Sequence, residues 1–249
     1  MNKTDSRQRS EGEASIPLKR SSLRGQVRSA IIDLVFNGGL PAGKRINETE
    51  LARRLGVSQT PVREALLSLE GQSFLAAETG KGFRVRALDP CEVRQIYPVH
   101  AELESFALGL AGLPDTNVLA ELKSLNEEFA RAESEPEQAI DLDTLLHRKL
   151  LEGCGNAYLL DLIAQLRRSA NRYAHAYMRQ PGQVMLSFEQ HNEILAALEV
   201  RNLKRAVRLL RKNDLGGVEQ LVRWLSHNKS EVEGDYTEGG TTGTRRQKT

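Results

Sequence analysis

Residues 40–70, LPAGKRINETELARRLGVSQTPVREALLSLE, and residues 74–88, FLAAETGKGFRVRAL, decide the fold. Asn47, three positions before Glu50, has the pattern of a helix capping box, opening a short helix that turns Leu51 and Leu55 inward. Gly56 supplies a turn, and Ser58 stands as N-cap of a further helix that tolerates Pro61 in its first turn. Val62, Ala65, Leu66 and Leu69 recur at helical spacing and predict its buried stripe. Phe74–Glu78 and Phe83–Ala87, joined by Thr79-Gly80-Lys81-Gly82, alternate as a β-hairpin, with Phe83 and Val85 on one face and Arg84 and Arg86 on the other. Upstream, apolar residues at 23, 27, 31 and 34/35 mark an amphipathic helix that ends at Asn37-Gly38-Gly39, with Pro41 beyond as a stop. Three helices and a hairpin make a winged helix-turn-helix.

Past Asp89-Pro90 the period is helical throughout. Breaks near Gly112–Pro114, Glu135–Pro136, Gly153–Asn156, Pro181–Gly182 and Asn202 divide the rest into about six helices, an all-α bundle. The expected fold is therefore mainly α, with Pro98 kinking or interrupting the first bundle helix. The organisation predicted is a disordered arm over 1–20, a winged helix-turn-helix over 21–88, a helical domain over 89–226 and a disordered tail over 227–249. Both ends are rich in Ser, Thr, Gly and charge and have almost nothing to bury.

The composition excludes several classes. No run of about 18 apolar residues is available for a membrane span, and the polar start MNKTDSRQRSEGEAS has no apolar core for a secretory signal. Cys91 and Cys154 are too few for a disulfide framework or a Cys-type zinc site, so a reduced, cytoplasmic protein is expected. The net charge of +2 is uninformative as a total. Residues 1–88 hold 15 Lys+Arg against 9 Asp+Glu, whereas residues 89–226 hold 16 against 20. A basic module is joined to an acidic one, and only the first suits a polyanion such as double-stranded DNA.

A recognition helix reads bases with outward side chains near its N-terminus. Here those are Gln59, Thr60 and Arg63, on one face. Arg pairs bidentately with guanine and Gln with adenine, and Thr suits a phosphate or a thymine methyl. The helix start at Ser58 offers backbone N–H groups to a phosphate. Lys81 and Gly82 form the wing tip, a charge beside a missing side chain that lets backbone approach a groove. Alone, the three outward residues would read as a solvated face; the surrounding helix–turn–helix–hairpin makes them a reading surface.

From about Leu23 to Leu88 the chain resembles the DNA-binding domain of GntR-type bacterial transcription regulators, with PAGKRINETELARRLGVS and TPVREAL following that pattern almost position by position. The resemblance implies DNA contacts at Ser58, Thr60, Arg63 and Gly82. One position departs: the family usually has Arg where this chain has Gln59, which implies an adenine-type amide in place of a guanine-type fork.

In the helical half, Asp143 and His147 are four apart and share a helix face, and His191 lies in a later helix. A carboxylate and imidazoles from separate helices can form a metal site in a bundle, and the same i, i+4 pair is equally an ordinary helix contact. DLDTLLHRKLLEGCGNAYL and SFEQHNEILAALEVRNLKRAVRLLRKND resemble segments of the FCD ligand domain of the FadR subfamily. That resemblance implies an effector pocket with a divalent metal (Zn, Ni or Mn) on Asp143, His147, His191 and the position of Asn213, where a third His is expected. An amide is a poorer ligand for a transition metal than imidazole. His100 stands where the family often has Arg and, with Asn213, is expected to face the effector.

Together these features predict a ligand-responsive DNA-binding regulator, and the resemblance implies a homodimer, commonly a repressor, on a pseudo-palindromic operator. Its effector is expected to be a small metabolite, a carboxylate by resemblance. The rivals are a metal-dependent hydrolytic enzyme using Asp143, His147 and His191, and a constitutive architectural DNA binder.

Overall fold

The computed structural model describes residues 23–234, so the arm expected over 1–20 and the part of the expected 227–249 tail beyond residue 234 lie outside the described residues. The first domain is α1 (Leu23–Phe36), α2 (Glu48–Leu55), α3 (Gln59–Gly71), β1 (Leu75–Glu78) and β2 (Gly82–Val85). Its core is the apolar set read from the periodicity: Val27 and Ile31 of α1, Leu51 of α2, the Val62–Leu69 stripe of α3, and Phe83 and Val85 of β2. The hairpin is antiparallel, with Leu75 opposite Val85 and Glu78 opposite Gly82. A short segment before α2 also pairs with β2, Ile46 N donating to Phe83 O at 2.9 Å and Val85 N to Lys44 O at 3.2 Å. This pairing is invisible to hydrophobic alternation because it is too short to show a period.

Two local expectations are corrected. Asn47 Oδ1 caps α2 by accepting from Thr49 N and Glu50 N, but the reciprocal half of the box is missing because the Glu50 carboxylate pairs with Arg53. Ser58 is the N-cap of α3 by position only; its side chain makes no capping bond. Gly56 turns the chain between the two helices at φ 66°, a left-handed conformation that suits glycine.

The second domain is α4 (Pro90–Ala111), α5 (Thr116–Arg131), α6 (Pro136–Leu150), a 3₁₀ turn (Glu152–Cys154), α7 (Ala157–Met178), α8 (Gln183–Glu199), α9 (Leu203–Gly216) and α10 (Val218–Gly234). Among the described residues no helix is long and apolar enough to cross a membrane. The five expected breaks are present, and a further one at Gly217 yields seven α-helices in place of six. Packing fixes the glycine at this break: a Cβ at Gly217 would lie 2.5 Å from the Tyr177 ring, so α7 dictates the missing side chain there. Helix α4 runs unbroken through Pro98. Pro98 and Arg94, whose carbonyl loses its partner, both lie on the exposed side, so water can satisfy that carbonyl. The last helix continues past residue 226 to Gly234, beyond the predicted domain end.

α4 is the spine of this bundle, packed against α7, α9 and α10, with α8 bridging α9 to α5. The C-terminal half of α7 also carries the first domain. Asn171 Nδ2 donates to Gln72 Oε1 at 3.0 Å, and Arg172 Nη1 donates to the carbonyl of Ser73 at 3.0 Å. Ser73 holds φ 62° in the connection from α3 to β1, a conformation costly for a residue with a Cβ. The His175 ring stands edge-on to Phe74, centroids 4.9 Å apart. Arg179 pairs with Asp33 of α1 at 2.8 Å, and Arg28 of α1 pairs with Glu137 of α6 at 3.1 Å.

His175 is buried at this seam; burial, then the charges of Arg179 and Arg28, push its imidazole down to about 3. The unfolded chain takes up a proton near the ordinary value of about 6.5. Stability from this group is therefore complete above about pH 6.5 and falls, by up to about 1.4 kcal/mol per pH unit, as the pH drops toward 3. Denaturant melts between pH 7 and 5 should show this loss, and His175→Phe should flatten it.

Candidate functional site

The N-terminus of α3 presents Ser58, Gln59, Thr60 and Arg63 together on the exposed surface, and the Lys81 side chain is exposed at the wing tip. The tight Gly56 turn brings the first residues of α2 beside them. Gln59 Nε2 donates to Thr49 Oγ1 at 3.2 Å. Arg63 Nη1 lies 3.5 Å from Glu48 Oε2, and Glu48 Oε1 is 3.8 Å from where a Cβ would stand at Gly82. Gly82, at φ 83°, takes a turn conformation that few other residues adopt. Glu48 thus lies between reading helix and wing. Neither Glu48 nor Thr49 was singled out from the sequence, although their place directly after the capping Asn47 puts them at a helix N-terminus.

The second assembly is a small cavity of about 100 Å³ inside the bundle, lined from α4, α6, α7, α8, α9 and α10. Its polar wall is built around Arg167 of α7. The guanidinium donates from Nη1 to Asp143 Oδ2 at 3.0 Å and from Nη2 to Glu104 Oε1 at 2.9 Å. The other oxygen of Glu104 pairs with His147 Nδ1 at 2.6 Å. Although burial opposes it, His147 and Arg167 hold the Glu104 carboxyl well below the usual carboxylate range. The same carboxylate, against the burial penalty, pushes His147 up to about 9.

Asp143 Oδ1 faces two imidazoles, 3.8 Å from His147 Nε2 and 3.5 Å from His191 Nε2. Neither Nε2 has a hydrogen-bond partner, although both are buried. His191 is neutral because burial pushes it down to about 4. Its tautomer follows from its neighbour: Asn126 Nδ2 donates to Phe188 O at 3.2 Å and to Asn192 Oδ1 at 2.9 Å, leaving Asn126 Oδ1 to accept from His191 Nδ1 at 3.0 Å. The lone pair of His191 is thereby on Nε2, aimed at Asp143. The three sequence-predicted ligands do converge, with all ligand atoms within 4.8 Å of one another. The residues fit a divalent cation: two orphaned imidazole nitrogens and one carboxylate oxygen share a point, and each imidazole is oriented through its other nitrogen.

Asn213 lines the cavity, and its Nδ2 donates to Gln190 Oε1 at 2.8 Å. His100 is in the cavity wall, with Nε2 3.3 Å from Glu104 Oε1 and Nδ1 3.6 Å from Asp214 Oδ1. Glu104, Arg167, Asp214 and Asn126 escaped the sequence reading. Glu104 alone left a trace, four residues after His100 on one helix; the others come from separate helices, where spacing carries no signal.

A winged helix-turn-helix fused to a helical bundle with a polar internal cavity defines a class: a nucleic-acid reading head coupled to a small-ligand domain. The chain belongs to the GntR family of bacterial regulatory proteins, whose model matches residues 23–85, and its second half is an FCD domain, matched over residues 95–213. It is similar to an uncharacterized HTH-type transcriptional regulator, YdhC, of Bacillus subtilis, 34% identical over 134 residues, or 52% of this chain and 60% of that protein. The chain thus spans about three fifths of the length of that relative. It is also similar to the Nta operon transcriptional regulator of Aminobacter aminovorans, 33% identical over 161 residues, 64% of this chain and 75% of that protein. Among solved structures, Escherichia coli McbR/YncC superposes with a TM-score of 0.57 at 27% identity, covering 84% of this chain and 99% of that one.

Removing Arg167 leaves two buried carboxylates short of a cation. Arg167→Met should therefore destabilise the folded chain by about 3–5 kcal/mol, measured by urea denaturation at pH 7.

Proposed function

We propose that this protein is a cytoplasmic transcription regulator, a repressor, that binds a pseudo-palindromic operator as a homodimer and changes its grip when a small metabolite enters the bundle cavity. The observation that carries this reading is the double role of α7. Arg167 on α7 forms the cavity wall, and one turn later Asn171 and Arg172 hold the connection between α3 and the wing. A ligand that favours one setting of α7 thereby favours one placement of the reading head. It regulates only through different affinity for the two arrangements, since equal affinity shifts nothing. Ser58, Gln59, Thr60, Arg63, Lys81 and Gly82 are the residues we assign to DNA.

Within the cavity, Asp143, His147 and His191 would hold a divalent cation, and a carboxylate of the metabolite would find its positive charge there. The protein's own cations are already committed, Arg167 to Asp143 and Glu104, and His147 Nδ1 to Glu104. When bound, the metal supplies Lewis-acid positions for an anionic oxygen. No catalytic role is assigned to these residues.

Gel shifts on the DNA upstream of the protein's own gene test the reading directly: operator affinity should fall steeply with salt, and a metabolite should change it. In selection from a random DNA pool, Gln59→Arg should convert a preferred adenine to guanine at one position of each half-site, a discrimination of about 1–3 kcal/mol. Zn²⁺, Ni²⁺ or Mn²⁺ added to chelator-stripped protein should stabilise it by about 2.7 kcal/mol at a hundredfold excess over Kd. A thermal melt of His191→Ala should lose that gain.

A further inference from the structure

Three carboxylates, Asp143, Glu104 and Asp214, cluster in and beside the cavity wall. Arg167 serves both Asp143 and Glu104, and His147 serves Glu104 again. Asp214 of α9 faces His100 instead. Its side chain is only 7% exposed, its Oδ2 has no hydrogen-bond partner, and its Oδ1 lies 3.6 Å from His100 Nδ1, beyond a normal hydrogen bond. A buried carboxylate in that state needs a charge or a donor. Burial, then the neighbouring Glu104, push the Asp214 carboxyl up, against the pull of His100 and His147.

Among the described residues no side chain bonds Asp214 Oδ2. Tyr97 and Tyr177 line the cavity together with aliphatic side chains from α6, α7 and α10. Gly217, beside Asp214 and also in the lining, has its side-chain position taken by the Tyr177 ring. A buried carboxylate with one unbonded oxygen, facing a pocket with aromatic lining, is the chemistry that selects a cationic nitrogen, by charge-assisted hydrogen bonding and by cation–π attraction.

We infer that the metabolite taken by this cavity carries a primary ammonium group that docks on Asp214. This deepens, and rests on, the reading of the cavity as the effector site. A metal ion is the rival cation, since His100, Glu104 and Asp214 also cluster within ligand distance of one another. It is disfavoured because both oxygens of Glu104 are already bonded, and the guanidinium of Arg167 stands 2.9 Å from the one nearest His100. At about 100 Å³ the cavity admits a ligand of a few heavy atoms.

The test uses full-length protein, stripped of metal, and two matched pairs: propylamine against propan-1-ol, and β-alanine against propanoate. Each pair differs at one end only, ammonium against hydroxyl or hydrogen. Thermal shift titrations should give the amine of at least one pair a half-saturating concentration tenfold or more below its counterpart, and Asp214→Asn should abolish that preference. Equal responses within both pairs of the wild-type protein overturn the inference, whatever the variant does. So does stabilisation of the stripped protein by Mn²⁺ or Zn²⁺ that requires Asp214 while neither amine is preferred. Gel shifts with the same compounds separate the two readings. An amine that stabilises through Asp214 yet leaves operator binding unchanged supports the ammonium site and refutes its role as effector site.

Discussion

The guanidinium of Arg167 holds two carboxylates that could not otherwise stay ionised inside a helical bundle. Asp143 comes from α6 and Glu104 from α4, and each in turn fixes an imidazole: Asp143 faces His147 and His191, and Glu104 grips His147 from behind. Charges of this kind contribute little net stability, because desolvation offsets most of their attraction. What they contribute is position. With α4, α6 and α7 tied to one planar group, two imidazole nitrogens are held without partners around a shared point, which a hydrophobic core could not arrange.

The same helix that carries Arg167 reaches the other domain within one further turn. Arg172 is almost wholly buried, and it binds the Ser73 carbonyl, the Glu92 carboxylate and the Tyr173 hydroxyl at once. Ser73 in turn is held in a left-handed conformation at the end of α3. A displacement of α7 therefore cannot be absorbed in a slack linker; it meets a backbone segment already near the limit of what a residue with a Cβ tolerates. Moving such an equilibrium from 1:99 to 99:1 takes about 5.5 kcal/mol of differential ligand affinity.

The first domain was legible almost throughout, because its helices and hairpin bury complete apolar periods and its turns use glycines with positive φ. What escaped there were contacts between elements too short to have a period, such as Ile46 on Phe83, and partner choices such as Glu50 turning to Arg53. In the bundle, helices were found wherever Pro, Gly or Asn interrupts the pattern locally. Gly217 was missed because its cause is the Tyr177 ring on another helix, and Pro98 was overweighted because its exposed setting was unknown. The three metal-type residues were legible through the resemblance. Arg167 and Asp214 were not, since a counter-charge is defined by what folds against it, and no local pattern announces that.

Glu48 gives the reading face a built-in competitor. Generic duplex DNA attracts a basic surface through phosphate alone, and a face made only of Arg and Lys would hold any sequence well. Here Arg63 already has a carboxylate 3.5 Å away, and that carboxylate also stands beside the wing glycine. On the proposed assignment of Arg63 to a base, it would have to give up this partner and bring a negative charge close to the phosphates. A matching guanine would return a bidentate bond in exchange, whereas a mismatched site would return only a single phosphate contact. The acid would thus lower the background of unproductive binding more than binding to the right site, and discrimination would rise at the expense of raw affinity.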